Sequence, residues 1–125
     1  MLFDTDVLIW VLRRNLKAAR LVEAEEEKRL SVMSSMELLQ GARNREEVKE
    51  IKQFLSVNSF LVLPLTENIG HRALVYIEEY SWHTQLEAAD AIIAATAVEN
   101  HLPLCTANAK HYRVIQELEL KIFRP

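Results

Sequence analysis

The chain has 125 residues, half of them hydrophobic and 26% charged, with a formal net charge of −3 at pH 7. That balance describes one globular domain, residues 1–125, and excludes disordered, collagen-like and disulfide-scaffold classes. Its longest apolar runs, such as VLIWVL, fall far short of the ~20 residues of a membrane span, no signal-peptide pattern opens it, and a lone Cys105 cannot form an internal disulfide, so the expected setting is a reducing cytoplasm.

In chain order, MLF reads as a short strand ending at Asp4, and DVLIWVLRR as a helix with Asp6 as N-cap. NLKAARLVEAEEEKR follows as a helix capped by Asn15, then LSVM as a buried strand. In SSMELLQGAR, Ser34 and Glu37 have the spacing of a capping box and Gly41 falls near the helix end. NREEVKEIKQFL places Val48, Ile51, Phe54 and Leu55 on one helical face. FLVLPL is the next strand. TENIGHRALVYIEEY aligns Ile69, Ala73, Tyr76, Ile77 and Tyr80 at helical spacing. EAADAIIAATAVENH is an almost wholly apolar helix, followed by strand LPLCT, a helical turn near NAKHY and strand LKIF. Strands alternating with helices predict an α/β fold with a mainly parallel sheet covered on both faces.

The acids fall in telling places. In open parallel sheets, ligands bind outside the carboxyl ends of the strands. Asp4 sits at the end of the first strand, Glu37 just after the second, Asp90 in the helix leading into the fourth, and TAN (106–108) at the fourth strand's exit. Each has a plain structural reading. Glu37 completes a capping box, Asp4 is a turn residue, and Asp90 is a first-turn acid favoured by the helix dipole. Yet Asp90 shares a stripe with Leu86, Ile93, Ala94 and Ala97, where an unpartnered charge is costly. Several carboxylates at one rim need a cation to stay ionised, and oxygen-only ligands suit Mg²⁺ or Mn²⁺. Such a site serves metal-dependent phosphodiester hydrolysis. The acidic chain gives a polyanion no general attraction, so a local basic patch or a bound cation must supply it.

The segments LFDTDVLI, SVMSSMELLQGA, LEAADAIIAATAVENHLPLCTAN and LKIFRP, in that order and spacing, resemble PIN-domain ribonucleases, specifically the VapC-like toxins of toxin–antitoxin pairs. The likeness spans nearly the whole chain. It implies a three-layer α/β/α fold, Mg²⁺- or Mn²⁺-dependent cleavage of RNA, a homodimer, and a cognate antitoxin that blocks the site. Asp4, Glu37 and Asp90 match the family's metal-binding acids. Thr106 and Asn108 match its T-x-N motif, and Asp6 stands where the family has Asn, Ser or Asp. Many members carry a fourth acid at the place of His111. Here that residue implies an altered ligand or, with Lys110, a contact to RNA phosphate. Arg13, Arg14, Arg43 and Lys110 are the candidate RNA-binding cations. Two rivals stand beside this reading. LFDTDVL also looks like the opening of haloacid-dehalogenase-type phosphatases, although the acidic pair that family needs late in the chain is missing. A PIN domain without its fourth acid could also act as a binding module for RNA or protein.

Overall fold

Leu2 and Phe3 are adjacent in the chain, fully buried, and packed into two different cores. Successive side chains of a strand point to opposite faces, so this pair marks a sheet covered on both sides. Leu104 and Cys105 divide in the same way. The computed structural model describes residues 1–125. Its strands are β1 (Leu2–Phe3), β2 (Arg29–Ser31), β3 (Leu61–Leu63), β4 (Leu104–Thr106) and β5 (Leu120–Ile122). Its helices are α1 (Thr5–Leu12), α2 (Leu16–Ala24), α3 (Val32–Gln40), α4 (Arg45–Val57), α5 (Glu67–Tyr80), α6 (Ala88–Glu99) and α7 (Ala109–Tyr112).

All strand pairings are parallel, in the order β3-β2-β1-β4-β5. The chain starts in the middle of the sheet, builds outward through β2 and β3, and then returns to the other side of β1 with β4. The direction of winding reverses between β1 and β4, where Phe3 lies in register with Cys105. The strand ends beside such a reversal are the usual ligand position in open parallel α/β folds. One core packs α5, α6 and α7 on Leu2 and Leu104. The other packs α1, α2 and α4 on Phe3, Leu30 and Cys105. The three layers expected of the sequence are therefore present. No helix is long and apolar enough to cross a membrane.

Two helix starts differ from the sequence reading. The N-cap of α1 is Asp4 and not Asp6, because β1 ends at Phe3 and the helix begins at once. The N-cap of α3 is Ser31, whose hydroxyl accepts the Met33 N–H at 2.9 Å. The Ser34–Glu37 capping box is therefore not formed, since both residues already lie inside the helix. Asn15 caps α2 as expected, accepting the Ala18 N–H at 2.9 Å.

Candidate functional site

Asp4 occupies the switch point. One carboxylate oxygen accepts the Thr5 N–H at 2.8 Å, and the other accepts the Thr106 hydroxyl, also at 2.8 Å. The side chain is almost fully buried. Burial, then the negative charge of Asp6, pushes its pKa up to about 7, against the pull of donors on Thr106, Tyr112 and Thr5. Asp6, in the first turn of α1, accepts the Ala107 N–H on Oδ2 at 3.1 Å. Burial raises its pKa too, and its Oδ1 is buried with no partner at all. A charged oxygen left so forfeits at least the ~1–3 kcal/mol that desolvating any polar group costs. Both acids of the D-T-D opening are thus held in a place unfavourable to their charge.

Thr106 ties the exit of β4 to the exit of β1. Its hydroxyl donates to Asp4 and accepts the Asn108 N–H at 3.0 Å. The T-x-N segment therefore acts here through the Thr106 hydroxyl and the backbone of residue 108. The Asn108 side chain is exposed and makes no capping bond on α7.

Glu37 and Asp90 flank this centre. Glu37, half-buried on α3, has its Oε1 2.7 Å from the Thr5 hydroxyl, which also lies 2.8 Å from the Ser34 hydroxyl. Asp90 is the third residue of α6 and completes a capping box with Glu87, accepting the Glu87 N–H at 3.1 Å. The first-turn reading of Asp90 therefore holds. Its neighbours on the stripe, Ile93, Ala94 and Ala97, are fully buried, whereas Asp90 sits at the rim with its side chain 19% exposed. Its Oδ1 accepts the Tyr112 hydroxyl at 3.3 Å, and Oδ2 stands 3.5 Å from Nδ1 of His111.

The acids are consequently connected through hydroxyl groups. No three His, Cys, Asp or Glu side chains close into a ready ligand cage, which differs from the direct convergence expected of the sequence. The chemistry of the donors nonetheless fits a hard divalent cation: Asp4, Asp6, Glu37 and Asp90 offer oxygen only, and the buried Asp4–Asp6 pair is joined by no lysine or arginine, the His111 imidazole being the one cationic group that acts on Asp6.

The candidate basic residues separate into groups. Arg13 and Arg43 line a groove of about 600 Å³ with Glu37, between α1, α3 and α4. Arg43 is paired there with Glu47 through Nε at 2.9 Å and Nη2 at 2.7 Å. Arg14 is exposed in the turn after α1, and Lys110 is exposed on α7; neither lines that groove. Sequence reasoning missed Thr5, Ser34 as a buried hydroxyl, and Tyr112. Thr5 had a signal in its place between the two acids of D-T-D, whereas Tyr112 had none.

Residues 1–116 match the model of the PIN domain family. Ribonuclease VapC10 of Mycobacterium tuberculosis is 39% identical over 124 residues, spanning 95% of this chain and 90% of that protein. A toxin–antitoxin complex from Klebsiella pneumoniae contains a chain of 30% identity that superposes with a TM-score of 0.79, over 94% of this chain and 93% of its own. At 17% identity, a chain of Rickettsia felis VapBC2 bound to a promoter DNA fragment shares the fold, with a TM-score of 0.83 over 98% of each. The chain belongs to the PIN-domain family, in the branch of the VapC ribonucleases. The phosphatase reading falls with that assignment.

Proposed function

We infer that the protein is a divalent-metal-dependent endoribonuclease that hydrolyses RNA phosphodiesters, acting as the toxin of a toxin–antitoxin pair. The observation that carries this is the buried Asp4–Asp6 pair at the switch point, raised in pKa and with one oxygen unpartnered. Asp4, Glu37 and Asp90 are the residues that hold Mg²⁺ or Mn²⁺. A cation of this type supplies activation of water and neutralises charge at the phosphoryl group. Thr106 and the Thr5 N–H fix both oxygens of Asp4, while the Thr5 hydroxyl orients Glu37. Asp6 fixes the β4 exit through the Ala107 N–H. Arg13 and Arg43, in the groove beside Glu37, meet the RNA backbone, and so do Lys110 and His111 of α7, the latter beside Asp90.

The relatives' names support an antitoxin as the protein partner. A cytoplasmic homodimer completes the reading; Leu65, Leu74, Val75 and Trp82 leave apolar side chains exposed on and beside α5, a surface suited to a second copy. One observation favours the alternative of a binding module that does not cut: no ligand cage is preformed.

Cleavage of labelled structured RNA by purified protein, in Mg²⁺, Mn²⁺ or EDTA and with Asp90→Asn in parallel, separates the two. The nuclease reading expects cleavage in metal, none in EDTA, and a loss on the order of 10²-fold or more in the variant, the scale of removing one key electrostatic group. Equal behaviour of wild type and variant, both folded, contradicts it. RNA binding that persists in EDTA without products in Mn²⁺ puts the binding module first.

A further inference from the structure

α7 is a single turn of helix, yet Tyr112 at its end is the largest fully buried side chain of the protein. A buried phenol needs a partner for its hydroxyl. This one finds carboxylates. It donates to Asp90 Oδ1 at 3.3 Å, and the Asp4 carboxylate lies within interacting distance of the same hydroxyl. The second oxygen of Asp90 is held independently, by the Glu87 N–H at 3.1 Å, with His111 Nδ1 3.5 Å away.

We propose that Tyr112 is a positioning residue of the acidic rim: its core-anchored phenol fixes the Asp90 carboxylate relative to Asp4, and so presets the separation at which the two acids take a cation. The inference rests on reading those acids as the cation's holders. Two features favour a positioning role over packing alone. The ring is anchored in the same core as Ala91, Ile93 and Ala94 of α6, so the phenol and Asp90 share one rigid support. Phenylalanine would fill nearly the same volume, so packing does not require the hydroxyl. Where the resemblance leads one to expect an acid from α7, this chain instead presents His111 and Tyr112 to Asp90.

The test is Mn²⁺ titration by calorimetry of wild type, Tyr112→Phe, Asp90→Asn and the double variant, at 10 °C to keep each folded, with melting curves in EDTA alongside. Tyr112→Phe is expected to bind Mn²⁺ about 10–100-fold more weakly, the scale of losing an outer hydrogen bond to a ligand. In the Asp90→Asn background the same change is expected to cost much less, because the two residues act as a unit. A lower melting temperature with unchanged Mn²⁺ affinity, while Asp90→Asn weakens binding, overturns the positioning role and leaves the metal site standing. Strict additivity in the double variant overturns it too. Unchanged affinity in Asp90→Asn removes the metal reading, and this inference with it.

Discussion

Asp4 is 6% exposed, faces the charge of Asp6, and makes no ion pair with any lysine or arginine; nor does Asp6. Its folded pKa of about 7 lies above the ordinary 3.8. The folded state therefore holds a proton that the unfolded chain has released. The resulting stability is fully present below about pH 4 and is lost as pH rises through about 7. Urea melts of the metal-free protein should show this decline. Asp4→Asn keeps a good N-cap without the charge, so it should flatten the decline and stabilise the metal-free protein at pH 8 by about 2 kcal/mol. The same variant should lose cleavage, because the charge that destabilises the fold is the one proposed to serve the reaction. Thr5 separates position from charge. Thr5→Ser should retain activity, whereas Thr5→Val should lower kcat about tenfold or more by freeing Glu37, with folding unchanged by circular dichroism. Asp4, Asp6 and Asp90 stood out in the sequence because each lies at or near the start of a helix, a place that local pattern reveals, and Glu37 through its spacing from Ser34, although it lies inside α3. Their donors did not. Thr106 meets Asp4 across 102 residues, Thr5 meets Glu37 across 32, and Tyr112 meets Asp90 across 22, with no period linking any pair.

At the scale of elements, helix ends were the least legible feature. α1, α4 and α6 all finish with a non-glycine residue at positive φ: Arg14 at 64°, Ser59 at 57° and His101 at 55°. Each end carries the same pair of hydrogen bonds. For α4, the Phe60 N–H reaches the Leu55 carbonyl and the Ser59 N–H reaches that of Ser56, both at 3.0 Å. Glycine is the usual residue at such a position, and the chain has only two, neither at positive φ. A reading that looks for glycine as a stop signal passes over all three ends. Ser59→Gly should relieve the left-handed conformation and raise stability by about 1 kcal/mol in urea melts, without touching the rim. The shift from Ser34 to Ser31 as cap of α3 has a related cause. Serines stand at positions 31, 34 and 35, and the first of them caps the helix because β2 ends there and α3 begins at Val32.

For the whole molecule, strand–helix alternation made the layered architecture legible, and the parallel sheet follows from it. The strand order did not follow, because nothing local records that β4 returns to the far side of β1. That one crossover brings Thr106 to Asp4 at the switch point. Charge also acts at this scale. With −3 overall, RNA is attracted by local groups alone, so binding should weaken with salt only gently. Arg13→Ala, measured without divalent metal, should reduce the slope of log Kd against log salt by about 1 if it meets one phosphate. The buried Cys105, with its pKa pushed up to about 12 by burial and the nearby acids, should resist thiol reagents until the protein unfolds.

Whether the acids around the β1–β4 switch point hold a divalent cation is read most directly from anomalous scattering by crystals soaked in Mn²⁺. A strong peak is expected ~2.0–2.3 Å from the Asp4 carboxylate, with Glu37 and Asp90 drawn toward it, and it should disappear in Asp4→Asn. Absence of a peak at Asp4 under saturating Mn²⁺, or one confined to the Glu99–Glu117 cluster beside Arg72, would contradict a cation held by these acids.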